Sequence, residues 1–289
     1  MSHQARVVGI LKRIGAAARK RAGQNFMVDE GVLEKIGGLL PREEGLEALE
    51  IGSGLGFLTE QLESRFGRVW AVENDRKFLV YLNNRFAESP SVRVIGEDIL
   101  DYAKEGLGEV SDRPAGVVCV GNIPYQISSP ILDLLIAHRK RWRDVVMTVQ
   151  RDFAARLAAR PPGRNTGSLP IWMSLHARID VICNLGPEVF FPRPKVESSV
   201  IRIHFFDEPL LEPEPLAAVR LAVRAAFSRR RKTISNALSG GMTGLDKPVW
   251  SGILSHCGIA ENRRPETLRL EEWMALGRSF SEIKPSKIA

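Results

Sequence analysis

Cysteine is scarce in this 289-residue chain, which has only Cys119, Cys183 and Cys257, far apart from one another. They form neither a CxxC pair nor a Cys/His ligand pattern, which argues against a disulfide framework and against a zinc site. We therefore expect reduced, buried thiols and no metal.

Long apolar runs are also lacking. No hydrophobic stretch reaches the length of a transmembrane helix, and no apolar segment with a small-residue cleavage site follows the basic N-terminus. We therefore expect a cytoplasmic protein that does not contact a membrane. Global disorder is excluded as well, because 44% of the residues are hydrophobic and 26% are charged, as in ordinary globular proteins.

Acidic residues are fewer than basic ones. There are 34 Asp and Glu against 41 Lys and Arg, which gives a formal net charge of +7. Such a balance favours a polyanionic partner, since Lys and Arg displace the counterions condensed on phosphates. Many basic proteins bind no nucleic acid, so charge alone leaves this open.

Apolar runs and amphipathic stretches alternate along the first two thirds of the chain. The predicted strands are residues 46–51, 69–72, 92–95, 116–120, 145–149, 174–183 and 198–206. The predicted helices are residues 32–40, 57–66, 76–87 and 130–138. This alternation predicts an α/β fold with a doubly wound, mostly parallel sheet.

The composition divides the chain into three parts. Residues 1–24 are rich in Lys and Arg and predict a mobile basic arm with one helical turn at most. Residues 25–207 form the main domain. Pro209, Pro213 and Pro215 indicate a linker, and residues 208–289 show only helical patterning, which predicts a small all-helical domain.

A compact glycine motif, Gly52, Gly54 and Gly56, closes the first predicted strand of the sheet. Glycine at this position lets the backbone approach a ligand closely, although a tight strand-to-helix turn explains it too. A dinucleotide fingerprint requires glycine at position 57, which is Phe57. The G-x-G-x-G spacing is instead typical of enzymes that bind S-adenosylmethionine.

Carboxylates follow the next two strands. Glu73 ends the second strand, where a carboxylate can accept hydrogen bonds from both ribose hydroxyls. Asp98 follows the third strand and is placed for the adenine amino group. Helix caps are the alternative interpretation, for Asp98 itself and for Asn74 and Asp75 after Glu73.

The tetrapeptide of residues 122–125 (NIPY) follows the strand at residues 116–120. The exocyclic amine of adenine is a poor nucleophile, so its methylation requires hydrogen-bond acceptors and alignment with the methyl donor. The side chain of Asn122 and a backbone carbonyl of Ile123 or Pro124 supply such acceptors, and Tyr125 offers an aromatic face to an extruded base. A simple Asn-x-Pro turn remains the alternative.

With these residues, the chain resembles the KsgA-type (RsmA) small-subunit ribosomal RNA adenine N6-dimethyltransferases almost from end to end. The resemblance is carried by residues 23–26 (GQNF), 50–59, 122–125 and 190–198 (FFPRPKVES). It implies a Rossmann-like, class I S-adenosylmethionine-dependent methyltransferase. The implied reaction gives dimethyladenosine at two adjacent adenosines in the 3′-terminal hairpin of 16S ribosomal RNA during ribosome maturation.

The resemblance also implies the site residues. The cofactor contacts would be Asn25, Met27, Gly52, Gly54, Glu73, Asp98 and Asn122. The catalytic set would be Asn122, Pro124, Tyr125 and Phe190, with the ring of Phe190 against the target base. Met27 stands where the family usually has Leu, and Ser53 where Pro is common. Neither change alters the chemistry.

Two basic clusters are candidates for RNA contact. Arg229, Arg230, Arg231 and Lys232 lie where a helix is predicted, and Lys195 lies in the late signature. For the cluster at residues 138–143 (HRKRWR), RNA contact and a solvated loop are equally open. The implied partner is small-subunit ribosomal RNA or a pre-assembled small ribosomal subunit, and we expect a monomer because no dimerisation stripe is evident.

Three alternatives share parts of these patterns. Large-subunit enzymes of the macrolide-resistance type share the motifs, but they usually lack segments like residues 226–234 and 262–268. DNA adenine methyltransferases commonly have Asp where this chain has Asn122. A non-catalytic ribosome-assembly factor on the same fold would be expected to lose Asn122 or Glu73, and both are present.

Overall fold

The fold is seen in a computed structural model that describes residues 3–18, 24–123, 127–163, 166–240 and 242–283. The chain divides into two compact units. The first is residues 1–154 with 180–205, and the second is residues 155–179 with 206–289.

The elements follow in chain order. The strands are β1 (Phe26–Met27), β2 (Glu47–Ile51), β3 (Val69–Val72), β4 (Val92–Ile95), β5 (Val117–Asn122), β6 (Trp142–Gln150), β7 (Ala177–Leu185), β8 (Phe190–Phe191) and β9 (Ser198–Phe205). The helices are α1 (His3–Arg13), α2 (Glu30–Leu39), α3 (Phe57–Glu63), α4 (Arg76–Arg85), α5 (Ile99–Lys104), α6 (Ser128–Ala137), α7 (Arg151–Ala158), α8 (Ser168–Ser174), α9 (Pro213–Ser228), α10 (Ile234–Leu238), α11 (Lys247–His256) and α12 (Leu270–Ile283).

A seven-stranded sheet with the order β4-β3-β2-β5-β6-β9-β7 forms the centre of the first unit. Strands β4, β3, β2, β5 and β6 run parallel, and β9 pairs antiparallel with β6. Strand β3 is buried along its whole length, as expected for parallel strands covered on both faces. The predicted doubly wound, mostly parallel α/β fold is confirmed.

The strand order reverses at β2. From β2 the chain adds β3 and β4 on one side and then β5 and β6 on the other. Right-handed crossovers in opposite directions leave a crevice at the carboxyl ends of the two strands where the direction changes. This crevice between β2 and β5 is where a doubly wound sheet binds its ligand.

The N-terminal segment is more ordered than its composition suggested. Residues 3–13 form α1, and Val7, Ile10 and Leu11 are buried in the core of the first unit. Their spacing puts them on one face of a helix, which gives the helix an apolar stripe to pack. The prediction of a mobile arm with one helical turn was therefore wrong for this segment. Residues 19–23 lie outside the described residues.

The second unit has its own core, built from α8 to α12. Its largest buried side chains include Trp250, Trp273 and Phe280. A Cβ at Gly277 of α12 would lie 2.1 Å from Val219 Cγ2 of α9, so only glycine lets these two helices approach this closely.

The boundary of this unit differs from the sequence prediction. Residues 155–179 were assigned to the main domain, but Ile171 and Leu175 pack in the core of the helical unit. Pro213 is the first residue of α9 rather than part of a linker, in agreement with the preference for proline at the start of helices.

The three cysteines are free. Cys119 is buried and the other two are half-buried. Burial raises the pKa of the Cys119 thiol well above its usual range. In the described ranges, no helix is both long enough and apolar enough to span a membrane.

Candidate active site

A cavity of about 330 Å³ opens at the carboxyl ends of β2, β3 and β5 in the first unit. All seven residues predicted to contact the cofactor line it. They are Asn25, Met27, Gly52, Gly54, Glu73, Asp98 and Asn122. The individual roles of these residues stay predictions, but the structure brings them together around one space.

The glycine turn, residues 52–56, forms one wall of the cavity. Gly52, Gly54 and Gly56 have φ angles of +73°, +57° and +74°, which favour glycine. The N–H groups of Gly52 and Ser53 both donate to the carbonyl of Val72, at 2.9 and 3.0 Å. A Cβ at Gly52 would have no atom within 4 Å, so the missing side chain leaves room for a ligand against the backbone.

Glu73 is buried at the end of β3 and accepts three backbone hydrogen bonds. Its Oε1 accepts from Asn74 (2.9 Å) and Asp75 (2.8 Å), and its Oε2 accepts from Gly54 (2.8 Å). Burial raises the pKa of Glu73, and these backbone donors oppose that rise. A carboxylate has about four acceptor positions, and Glu73 uses three of them to anchor the turn.

The helix-cap interpretation of Asp98 is confirmed, and its role toward the adenine stays a prediction. Its Oδ1 accepts from the N–H of Leu100 at 2.8 Å and caps α5, so it is a helix cap. Its Oδ2 accepts from the side chain of Asn74 at 3.2 Å, and the residue lines the cavity. One carboxylate therefore fixes the start of α5 and lies beside the cavity.

Asn122 ends β5 and lies beside Thr148 of β6, which also lines the cavity. The side-chain amide of Asn122 donates to the backbone carbonyl of Asn25 at 2.7 Å. The N–H of Ile123 donates to the carbonyl of Thr148 at 3.0 Å, which fixes the start of the tetrapeptide. Pro124 and Tyr125 lie outside the described residues, and their predicted roles remain predictions.

Phe190 is placed differently from its predicted role. It lies in β8, which pairs antiparallel with β1 so that Phe190 is opposite Met27 and Phe191 is opposite Phe26. Phe190 is 3% exposed, belongs to the core of the first unit and is not among the residues lining the cavity. Its position thus gives no support to the prediction that its ring faces the target base.

Glu50 is an ionisable group of the cavity that the sequence analysis did not assign to the site. It is 2% exposed, and burial raises its pKa to about 8, opposed by hydrogen bonds from Thr59 and Ser53. The signal was present in the sequence, because Glu50 interrupts the apolar run of β2 two positions before Gly52.

The basic cluster of residues 229–232 lies in a turn, which corrects the predicted helix. Helix α9 ends at Ser228 and α10 begins at Ile234. The turn borders a second cavity of about 560 Å³, in the helical unit, lined by Phe227, Ser228, Arg229, Arg230, Arg231, Lys232 and Asn236. Lys195 is exposed in the loop before β9.

The second basic cluster, residues 138–143, lies between α6 and the start of β6. Arg143 forms a two-pronged ion pair with Glu43, with its Nε at 2.9 Å and its Nη2 at 2.6 Å from Oε1 of that residue. Arg141 donates to the carbonyl of Val110 at 3.1 Å. These side chains bind their own chain at the amino end of β6, opposite the cavity, which favours a structural role.

The sheet order, the glycine turn after β2 and the acidic groups at the ends of β3 and β4 define a class I S-adenosylmethionine-dependent methyltransferase. The family model "Ribosomal RNA adenine dimethylase" matches residues 15–276. The chain belongs to this family.

Individual proteins agree with this assignment. "Ribosomal RNA small subunit methyltransferase A" of Geobacter sulfurreducens is 38% identical over 267 residues, which are 92% of this chain and 96% of that protein. A dimethyladenosine transferase from Plasmodium falciparum has a TM-score of 0.72 at 24% identity, over 86% of this chain and 94% of that one. The 23S rRNA methyltransferase ErmE has a TM-score of 0.67 at 24% identity, over 89% and 99%. The two structural similarities show the fold alone.

Proposed function

We propose that this protein dimethylates N6 of two adjacent adenosines in the 3′-terminal hairpin of 16S ribosomal RNA, with S-adenosylmethionine as methyl donor and without a metal. The observation that carries the proposal is the meeting of the glycine turn, Glu73, Asp98 and Asn122 in one cavity, in a chain of the ribosomal RNA adenine dimethylase family. The name of its relative from Geobacter sulfurreducens supports the small subunit as the source of the RNA.

The residues of the cavity fit the methyl donor. The open backbone at Gly52 receives the ligand, Glu73 has an acceptor position left for a ribose hydroxyl, and Asp98 lies at the neighbouring strand end for the adenine. Bound S-adenosylmethionine supplies an electrophilic methyl group on a sulfonium that is already positively charged. The protein therefore has to align and desolvate the reactants, and a covalent nucleophile is not required.

Asn122 is the proposed acceptor for the target amine. Because its amide N–H is directed to the carbonyl of Asn25, the planar carboxamide has its Oδ1 turned away from that bond and available to the amine. A hydrogen bond to Oδ1 favours the geometry in which the amine lone pair points at the methyl group. The adenine has to leave its stack to reach this site.

The RNA itself would be held outside the cavity. We assign phosphate contacts to Arg229, Arg230, Arg231 and Lys232, whose turn carries adjacent cations, and to the exposed Lys195. We further propose that the protein acts as a monomer in the cytoplasm on ribosomal RNA or a pre-assembled small subunit.

The experiment is methyl transfer from labelled S-adenosylmethionine to unmethylated small subunits, with large subunits and duplex DNA in parallel reactions. Digestion to nucleosides should give labelled dimethyladenosine from small-subunit RNA alone. Label in large-subunit RNA would favour the resistance-type alternative, and label in DNA would favour a DNA methyltransferase. A lack of transfer to every substrate would overturn the proposal in favour of a non-catalytic assembly factor.

A further inference from the structure

A largely buried arginine outside the predicted site contacts the glycine turn. Arg85 is the last residue of α4, and its side chain is only 12% exposed. Its Nη1 donates to the carbonyl of Leu55, inside the turn, at 2.5 Å. This bond fixes a carbonyl that lies between the left-handed residues Gly54 and Gly56.

The same guanidinium is fixed by three other groups. Its Nη2 lies 2.6 Å from Oε2 of Glu60, and its Cζ lies 5.3 Å from the ring centres of both Phe57 and Phe86. A positive charge over an aromatic face is attracted by the ring, and more strongly where water is excluded. Arg85 thus joins the last residues of the turn, the first residue of α3 and the end of α4.

The groups that Arg85 holds belong to the wall of the cavity. Leu55 and Phe57 both line it, as does Glu50 of β2. The charge of Arg85 also acts to lower the pKa of Glu50, against the effect of burial. Loss of Arg85 would release the Leu55 carbonyl and Phe57, but it would leave unchanged all the residues that are predicted to contact the ligand.

We propose that Arg85 is a positioning residue for S-adenosylmethionine, which holds the glycine turn in its binding conformation through the Leu55 carbonyl and the Phe57 ring. This inference rests on the proposed function only in that it takes S-adenosylmethionine as the ligand. It requires nothing of the RNA target.

Arg6 of α1 provides a matched control. Its Cζ lies 5.2 Å from the same Phe57 ring, and its Nη2 lies 3.9 Å from the same Glu60 oxygen. Its side chain is 42% exposed, and the described contacts of Arg6 do not include the carbonyl of Leu55. Arg6→Met therefore removes a comparable charge from the Phe57 ring and leaves the hydrogen bond from Arg85 to the Leu55 carbonyl in place.

The test compares Arg85→Met, Arg85→Lys and Arg6→Met with the full-length parent by calorimetric titration with S-adenosylmethionine and with S-adenosylhomocysteine. We expect Arg85→Met to raise both Kd values about tenfold or more, which is the usual cost of losing a hydrogen bond from a charged group. Arg85→Lys should recover part of the loss. Arg6→Met should bind like the parent.

Kinetics separate positioning from general damage. Arg85→Met should raise the KM for S-adenosylmethionine, whereas its kcat at saturating cofactor should stay within about twofold of the parent, since the chemistry involves other residues. A parental Kd in Arg85→Met would overturn the proposal, and so would equal weakening by Arg85→Met and Arg6→Met. If Arg85→Met does not fold, the Kd of Arg85→Lys decides, and a parental value there overturns the proposal. A parent protein that binds the cofactor but methylates no ribosomal RNA would overturn the proposed function and leave this inference standing.

Discussion

The side-chain amide of Asn122 donates a hydrogen bond to the backbone carbonyl of Asn25, with 2.7 Å between nitrogen and oxygen. The two residues are 97 positions apart, one at the end of β5 and the other directly before β1. The contact joins Asn25, which is predicted to contact the cofactor, to the residue proposed to accept the target amine. The backbone position of Asn25 therefore also orients the carboxamide of Asn122.

Replacement of Asn122 by alanine should reduce turnover far more than it reduces the affinity for the cofactor. We expect kcat to fall about 10²- to 10³-fold, the usual cost of losing one preorganised hydrogen-bonding group, with the Kd for S-adenosylmethionine changed by a small factor. Rates of methyl transfer and calorimetric Kd values measure the two effects. Asn83→Ala, which removes an exposed amide bound to the carbonyl of Leu79, is the control. Equal losses in kcat and affinity would instead indicate a structural role for the loop.

The sequence predicted the strands and the site better than the termini and domain boundaries. Strands β3 and β4 have the predicted bounds, because short apolar runs between turn residues leave few alternatives. The cavity residues could be predicted because parallel strands bring their carboxyl ends to one edge, so that Gly52, Glu73 and Asp98 had to be neighbours.

The errors have a common cause in tertiary contacts. The basic N-terminal segment forms a helix because Val7 and Ile10 have a core to bury against, which composition does not reveal. Ile171 belongs to the helical unit because the chain enters that unit, leaves it for β7 and returns. The bonds from Asn122 to Asn25 and from Arg85 to Leu55 join distant segments, and no local pattern predicts them.

Glu50 should make the protein less stable as pH rises. Burial raises its pKa from 4.5 to about 8 in the folded state, so between these values the folded state keeps a proton that the unfolded state has lost. The free energy of unfolding therefore falls with rising pH in this window, by at most about 1.4 kcal/mol per pH unit for one proton. Glu50→Gln mimics the neutral acid and should remove this slope. Urea unfolding of both proteins at pH 5, 6.5 and 8 tests the prediction, and parallel pH profiles would contradict it.

Arg263 should stabilise the helical unit through Glu272 at the start of α12. Its Nη1 lies 2.5 Å from Oε1 of Glu272, whose Oε2 accepts from the N–H of Arg269 at 2.7 Å. We expect Arg263→Ala to lower the free energy of unfolding by about 1–2 kcal/mol at pH 7. Arg264→Ala, at the neighbouring exposed position, is the matched control and should change little. Urea unfolding followed by tryptophan fluorescence measures both variants, and equal stability losses would show that the ion pair is not the cause.

The contribution of the Arg263–Glu272 ion pair to the free energy of unfolding should be lost in acid. Burial alone would raise the pKa of Glu272, but the hydrogen bonds from Arg263 and the Arg269 N–H outweigh it and lower the pKa below 4.5. A lowered folded pKa gives stability that is present above the unfolded value and is lost as pH falls through the folded one. The difference between the parent and Arg263→Ala should therefore shrink as pH falls below about 4.5. A constant difference down to pH 3 would contradict this assignment.

The turn between α9 and α10 should contribute affinity for RNA without affecting the cofactor. Arg231 and Lys232 are exposed there, so the double change to alanine should leave the fold intact. Each phosphate contact releases counterions, so the slope of log affinity against log salt should decrease by up to about two, with S-adenosylmethionine binding unchanged. Filter binding of the 3′-terminal hairpin at several salt concentrations measures the slope. Arg143→Ala removes a cation that is already paired with Glu43 at the opposite end of the sheet from the cavity, so its slope should match that of the parent. If the slope decreased equally in both variants, RNA affinity would depend on the net charge of the protein and not on this turn.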